Sequence, residues 1–166
     1  MPFTPFHLGP GLLIGMLLFS YVDFASIMIS SVAVDVEPFL IIVFRLSLPL
    51  HGFFHTYVEA TMIAVLTAVG VRLVSSLLGR PLSWLRIRQE SSFRRILYAS
   101  LLGVYFHVLL DSFLYGEMNP FYPLTGNPLL GLVGFNVVNE FCTFSFVFGF
   151  VLYAYKFFLR KTHILG

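Results

Sequence analysis

The sequence contains little charge, a single cysteine and no basic residue near its start. Charged side chains make up 11% of the 166 residues, whereas an average soluble domain carries about 25%. The net charge of +2 is too small to favour nucleic-acid binding, and Cys142 has no second cysteine in the chain for a disulfide. The residues before His7 also lack the basic segment of a signal peptide, so we expect the first hydrophobic stretch to be retained.

Hydrophobic residues, by contrast, account for 58% of the chain, and the mean hydropathy is +0.89. These values are typical of an integral membrane protein. The length is that of one domain. We therefore predict a single all-α membrane domain over residues 1–166, a helical bundle with an N-terminal helical hairpin and three transmembrane helices.

The N-terminal hydrophobic segment allows two interpretations. Residues 8–34 could form one tilted helix about 40 Å long, which would place His7 and Asp35 on opposite membrane faces. Alternatively, two short helices could turn at residues 21–23, with Asp23 as the N-cap of the second. The high cost of a charge in mid-membrane favours the hairpin, which returns Asp35 to the side of His7.

The rest of the chain predicts three crossings and one basic loop. Residues 39–48 are too short to span and are expected to form a packed connector. Apolar runs predict spanning helices at residues 50–78, 96–115 and 131–155, the first of them stopped by the Gly-Arg-Pro segment 79–81.

Basic residues indicate the orientation of these helices. The loop at residues 80–95 contains five arginines and one acid, and Lys156, Arg160 and Lys161 follow the last helix. By the positive-inside rule we expect the basic loop and the C-terminus to be cytoplasmic, in the plasma membrane. The loop itself is interpreted as a simple turn, with lipid-phosphate binding or protein docking as the alternative.

Six side chains that can bind metals interrupt the hydrophobic sequence. They are four of the five histidines and two aspartates: His7, Asp35, His51, His55, His107 and Asp111. The pairs His51/His55 and His107/Asp111 have the i, i+4 spacing that places two side chains on one helix face. In the predicted topology both pairs lie toward the non-cytoplasmic side, and the hairpin brings the other two members there. We therefore predict that all six meet at one site.

A metal site explains this polar set better than a chance grouping does. Imidazole and carboxylate groups in a membrane interior must be paired, hydrogen-bonded or bound to metal. Mixed imidazole and carboxylate ligands suit one or two divalent ions, with zinc as the default and manganese or iron as alternatives. A structural hydrogen-bond cluster is the competing interpretation. A metal transporter is disfavoured, because residues 63–71 offer only Thr67 as a polar side chain.

Two glutamates are candidate catalytic residues. Glu59 follows His55 by four residues, and it could orient a ligand histidine or act as a general base, with a helix–helix hydrogen bond as the structural alternative. Glu37 could be a ligand, a proton-transfer group or an interfacial cap.

The order of these motifs resembles the membrane-bound metal-dependent hydrolases of the YdjM type. The resemblance covers roughly residues 1–130 and rests on five features: His7 within the first ten residues, the acidic turn at 34–38, His51-x-x-x-His55, His107-x-x-x-Asp111 and the proline-aromatic loop at 119–123. That family is remotely similar to zinc-dependent phospholipase C and the P1-type nucleases, helical enzymes that hydrolyse phosphate esters with a metal cluster.

The resemblance implies where metal ions would bind. A first site would be formed by Asp35, one member of the His51/His55 pair, His107 and Asp111. A second site would be held by His7 and Asp111, with Asp111 bridging the two ions.

We therefore expect a membrane-embedded metal-dependent hydrolase that acts on a phosphoester, such as a lipid head group, with metal-activated water. Membrane lipid and a divalent metal are the expected partners, another membrane protein is compatible, and nucleic acid is not expected. The alternative is a non-catalytic membrane subunit or scaffold whose His/Asp cluster is structural.

Overall fold

A computed structural model describes residues 4–159, and every regular element within that range is helical. The α-helices are α1 (Leu8–Leu17), α2 (Phe24–Ala33), α3 (Val36–Phe44), α4 (Tyr57–Trp84), α5 (Phe93–Ser112) and α6 (Phe135–Ala154). Short 3-10 turns occupy Thr4–His7 and Phe53–His55, and a π-helical turn at Tyr155–Leu159 extends α6. The predicted basic residues Arg160 and Lys161 lie outside the described residues.

Three of these helices are long and apolar enough to cross a membrane: Tyr57–Trp84, Phe93–Ser112 and Phe135–Phe158. Large apolar side chains such as Leu73 and Leu77 of α4, each 75% exposed, cover their outer faces. An apolar exterior is expected where lipid replaces water as the solvent. The predicted all-α fold with three spanning helices is therefore confirmed.

The N-terminal segment is a helical hairpin, as predicted, and the single tilted helix is excluded. The Asp23 carboxylate accepts a hydrogen bond from the Ser26 backbone N–H, which caps the start of α2. Gln89 and Arg95 donate hydrogen bonds to the carbonyl groups of Phe19 and Val22, and so satisfy the exposed backbone of the turn. The turn therefore lies beside the basic loop, and His7 lies at the opposite end.

Residues 39–48, predicted to form a packed connector too short to span, belong largely to helix α3 (Val36–Phe44). Pro38 lies in the first turn of α3, where its missing N–H would have no intrahelical partner anyway. The axes of α2 and α3 differ by 41°, and Asp35 lies at the bend between them.

The boundaries of α4 also differ from the prediction. The helix begins at Tyr57 rather than near residue 50, because the Thr56 hydroxyl caps it by accepting a hydrogen bond from the Glu59 N–H. It continues through Pro81 to Trp84 and ends where Arg86 adopts φ 61°, which lets the Ile87 N–H bond to the Leu82 carbonyl. The basic loop is consequently shorter than predicted.

Helix α2 is the centre of the bundle, since it contacts α1, α4 and α5, while α1 also packs against α6. Small residues permit these close approaches, as they do in many membrane helix pairs. A Cβ atom on Gly103 of α5 would overlap the Ser30 hydroxyl of α2, and one on Gly9 of α1 would overlap the Cys142 carbonyl of α6. These two approaches bring His107 and His7 into the same region of the bundle.

Candidate metal site

Four predicted site residues converge at the end of the bundle away from the basic loop. Asp35 comes from the α2–α3 bend, His55 from the turn before α4, and His107 and Asp111 from the last turns of α5. One ligand atom from each lies within 4.8 Å of the others, so the group could hold a metal ion. His55, His107 and Asp111 are 0%, 2% and 1% exposed, and Asp35 is half-buried. We call these four residues the His/Asp cluster.

Asp111 is the common neighbour within the cluster. Its Oδ2 atom lies 3.1 Å from His107 Nε2 and 3.7 Å from His55 Nε2. Asp35 Oδ1 lies 3.5 Å from the same nitrogen of His107. Both imidazoles therefore present Nε2, rather than Nδ1, to the two carboxylates.

The backbone of α2 orients His107. Its Nδ1 atom lies 2.8 Å from the Ser31 carbonyl oxygen, and a carbonyl can only accept, so Nδ1 carries a hydrogen and donates it. In the neutral imidazole, Nε2 then keeps a free lone pair that faces the cluster. Such a fixed tautomer is characteristic of metal-binding histidines.

Glu37 orients His55 in the same way. The Nδ1 atom of His55 lies 3.1 Å from Glu37 Oε2, and the two carboxylate oxygens also accept the Phe53 and Phe54 backbone N–H groups. Burial lowers the pKa of His55 below its ordinary value, although the Glu37 hydrogen bond opposes this shift. A neutral imidazole is the form that binds metal.

The inner atoms of the cluster lack hydrogen-bond partners. Among residues 4–159, none is found for four buried atoms: His55 Nε2, His107 Nε2, Asp35 Oδ2 and Asp111 Oδ1. Two of these atoms nevertheless lie close to a polar neighbour: His107 Nε2 is 3.1 Å from Asp111 Oδ2, and Asp111 Oδ1 is 3.1 Å from His7 Nε2. A bound cation would satisfy the lone pairs that the cluster leaves free. The ligand atoms of tetrahedral zinc lie about 3.4 Å apart, so small side-chain rotations would suffice. The residues present therefore fit a divalent metal ion.

His7 lies beside the cluster. Its Nε2 atom is 3.1 Å from Asp111 Oδ1, and its ring centroid is 4.1 Å from that of His107. The two oxygens of Asp111 thus face different histidines, which is the arrangement that a bridging carboxylate would need. His7 Nδ1 is also buried without a hydrogen-bond partner in the described part of the chain.

His51 lies outside the cluster, and the prediction that it shares a helix face with His55 is wrong. Both residues precede α4, because the helix begins only at Tyr57. His51 Nδ1 lies 3.0 Å from Glu117 Oε1, and its ring stacks on Tyr115 at 3.6 Å. Partial burial would raise the pKa of Glu117, but the hydrogen bonds to its carboxylate, led by that with His51, and the nearby His51 and His55 together lower it. Nothing in the sequence indicated that Glu117 and Tyr115 would contact His51.

Glu59 lies beside a neighbouring cavity. This cavity has a volume of about 330 Å³ and is also lined by Thr56, Glu117 and Tyr122, but by no member of the His/Asp cluster. Glu59 is buried, and its Oε2 atom has no hydrogen-bond partner within residues 4–159. Thr56, which lines this cavity, follows His55 directly in the chain.

Comparison of the chain with protein-family models, with curated proteins and with solved structures finds no match. The fold and the site therefore define the class of protein by themselves. It is a helical protein with three potential membrane spans and a buried His/Asp cluster that could hold a metal ion.

Proposed function

We propose that this chain is a membrane-embedded, metal-dependent hydrolase of the YdjM type, and that the His/Asp cluster is its metal site. The observation that carries the proposal is the pair of fixed imidazoles. Each is held through Nδ1, by the Ser31 carbonyl or by Glu37, and each leaves a buried, unpartnered Nε2 beside two carboxylates. The arrangement supports a role as metal ligands, because an imidazole oriented through Nδ1 presents Nε2 for coordination.

The donor set favours a borderline or hard divalent ion. Two imidazole nitrogens and two carboxylate oxygens suit zinc first, with manganese or iron as alternatives. The ion would supply Lewis acidity and lower the pKa of a coordinated water to about 7. Asp111, shared between His7 and His107, supports a second ion with His7 as one of its ligands.

The remaining side chains would position the reactants. Glu37 is a positioning residue for His55, because both of its oxygens already accept hydrogen bonds. Glu59 is the better candidate for proton transfer, since its unpartnered oxygen belongs to a residue that lines the neighbouring cavity. That cavity is large enough for a small polar head group.

The substrate class we propose is a phosphoester, in particular the head group of a membrane lipid. Two features support it: the resemblance to metal-dependent phosphoesterases, and the position of the cluster near one end of spanning helices, where lipid head groups lie. The positive-inside rule would place this end on the non-cytoplasmic side of the plasma membrane, with the basic loop in the cytoplasm.

Metal content tests the first step of this proposal. Purified protein should contain close to one equivalent of zinc, manganese or iron, or two if His7 holds a second ion. His55→Gln should lose the ion, whereas His51→Gln, the same substitution four residues earlier, should retain it. Equal metal contents in the two variants would contradict the assignment of His55 as a ligand.

Hydrolysis tests the second step. Metal-loaded protein in lipid nanodiscs should release the phosphorylated head group from a phospholipid, and protein stripped with a chelator should not. A Glu59→Gln variant should keep its metal and lose most of the activity. A metal-loaded protein that hydrolyses neither phospholipids nor a chromogenic phosphodiester would remove the hydrolase assignment and leave the metal site standing.

One observation favours a second candidate, a non-catalytic membrane subunit. Each histidine of the cluster lies within 3.1–3.7 Å of a carboxylate, so protonated imidazoles could satisfy it as a network of buried ion pairs. Such a network would be fully formed in metal-free protein. The stability of chelator-treated protein, developed in the Discussion, separates the two candidates.

A further inference from the structure

A second polar cavity lies at the opposite end of the bundle, beside the basic loop. It has a volume of about 460 Å³ and lies between the second half of α4, the start of α2 and the segment that leads into α5. Its cationic and hydroxyl side chains are Arg72, Ser75, Ser76, Arg88, Ser91 and Ser92. None of these residues belongs to the His/Asp cluster, and the proposed hydrolysis makes no use of them.

Two exposed guanidinium groups, those of Arg72 and Arg88, line this cavity. Arg72 lies inside spanning helix α4, about 18 Å along the axis from Trp84 at its end, and Arg88 comes from the loop. Within residues 4–159, neither arginine forms an ion pair. An arginine within a membrane helix is costly unless it meets water or an anion. An anion between Arg72 and Arg88 would satisfy both.

The hydroxyl groups of Ser76 and Ser91 add donors for a phosphate, whereas Ser75 Oγ already donates to the Arg72 carbonyl. The buried Ser91 Oγ atom has no hydrogen-bond partner in the described part of the chain. Guanidinium and hydroxyl groups together are the usual donors to phosphate oxygens.

Two acids limit the charge that the cavity can hold. Asp23 also lines it, but its carboxylate already accepts both the N–H and the hydroxyl of Ser26. Glu90 lines it as well and is exposed. The two arginines and the two acids carry no net charge together, so both acids would repel a polyphosphate, and a singly charged phosphodiester is the phosphate that the lining opposes least.

We infer that this cavity binds a phosphate group, held between Arg72 and Arg88 and carried either by a membrane phospholipid or by a soluble phosphate. The geometry is well suited to a lipid. Leu73 and Leu77, next to the cavity on α4, are each 75% exposed and offer an apolar surface for acyl chains. Basic cavities between spanning helices bind lipid head groups in the same way.

The test compares Arg72→Gln with Arg80→Gln in delipidated protein in a neutral detergent. Both variants remove one arginine from α4, but Arg80 does not line the cavity. The probes are short-chain phosphatidylglycerol, short-chain phosphatidylcholine and inorganic phosphate, and the readout is the unfolding temperature as a function of probe concentration. Metal content is measured in parallel and should not change, which separates this site from the His/Asp cluster.

We expect the wild type and Arg80→Gln to be stabilised by at least one probe with the same apparent Kd, and Arg72→Gln to need about tenfold more of it, since one charge-assisted contact is lost. If Arg72→Gln fails to fold, Arg88→Gln, which changes an exposed loop residue, provides the same comparison. Stabilisation by the lipids alone identifies a lipid ligand, and stabilisation by inorganic phosphate identifies a soluble one. No response in the wild type, or equal responses in cavity and control variants, would overturn the inference.

Discussion

Replacing Asp111 with Asn tests the His/Asp cluster most directly. The asparagine side chain has the same shape, but it lacks the charge that lies 3.1 Å from both His7 and His107 and 3.7 Å from His55. We expect the variant to lose its metal, because the carboxylate shared by these imidazoles is replaced by a neutral amide that binds metal poorly.

The size of the expected stability change follows from the coupling between zinc binding and folding. Zinc at 100 times its Kd stabilises the folded protein by about 2.7 kcal/mol, and if Asp111→Asn raises the Kd at least 100-fold, the same zinc contributes only about 0.4 kcal/mol. The zinc-dependent part of the free energy of unfolding should therefore fall by about 2.3 kcal/mol. Denaturant unfolding in micelles, with zinc and with chelator, measures both values.

Unfolding measured with chelator distinguishes a metal site from a structural network of ion pairs. If the cluster is a network of buried ion pairs, removing the Asp111 charge should destabilise even metal-free protein by about 3–5 kcal/mol. If it is a metal site, most of the loss should appear only when zinc is present. The control is Glu117→Gln, which alters a carboxylate outside the cluster that pairs with His51 across a 3.0 Å contact. A wild-type protein indifferent to zinc, or a zinc response that survives Asp111→Asn, would refute the metal site.

Three further predictions follow from the same geometry. Glu37→Gln should weaken metal binding about 10–100-fold, because it loosens the orientation of His55, and competition with a metal-sensitive dye would measure this; an unchanged affinity would contradict the positioning role. In chelator-treated protein, the His55 imidazole should titrate below its ordinary pKa of 6.5. The unfolded chain then binds this proton more readily, so stability from this group falls as the pH drops below 6.5. Histidine NMR signals, assigned with His55→Gln, report the titration, and a midpoint above 6.5 would be inconsistent with the burial of His55. Gly103→Ala should lower stability by about 1–3 kcal/mol, because its Cβ would overlap the Ser30 hydroxyl. Gly70→Ala, where a Cβ meets nothing within 4 Å, should cost nothing, and equal unfolding temperatures for the two variants would contradict the close approach of α2 and α5.

Charge and turn chemistry made much of the fold predictable. Asp23 stands alone in an apolar stretch, and the cost of burying it pointed to the hairpin that the structure contains. The arginine-rich loop set the relative direction of the helices that flank it. From these two features the sequence indicated that all six candidate side chains would meet at the same end, with both His51 and His55 on the predicted helix.

The boundaries of α4 were missed although the signals were partly present. Thr56-x-x-Glu59 is a capping sequence, but the apolar residues before it also suit a helix, and tertiary contacts decided between them. At the other end, glycine and proline at residues 79–81 suggested a stop. The actual stop is Arg86 in a left-handed conformation, which arginine adopts too rarely for sequence to indicate it.

The contacts that distinguish the two histidines of the first pair were beyond sequence analysis. His55 is oriented by Glu37, and His51 by Glu117, 66 residues further along the chain. The partner of His107 is the backbone carbonyl of Ser31, which carries no residue-specific signal. The spacing of the histidines in the sequence could therefore identify them as candidate ligands, but only the fold shows which of them face the cluster.

The hairpin turn bears on the order in which the chain is assembled. Neither α1 nor α2 is long enough to cross a bilayer, since ten residues of helix extend only about 15 Å, although α2 and α3 together are long and apolar enough for a bent span. The carbonyl groups at the turn are satisfied by Gln89 and Arg95, which the ribosome adds some 70 residues later. The contacts at the turn can therefore form only after the segment leading into α5 has been made, and His7 can meet His107 only once α5 is in place.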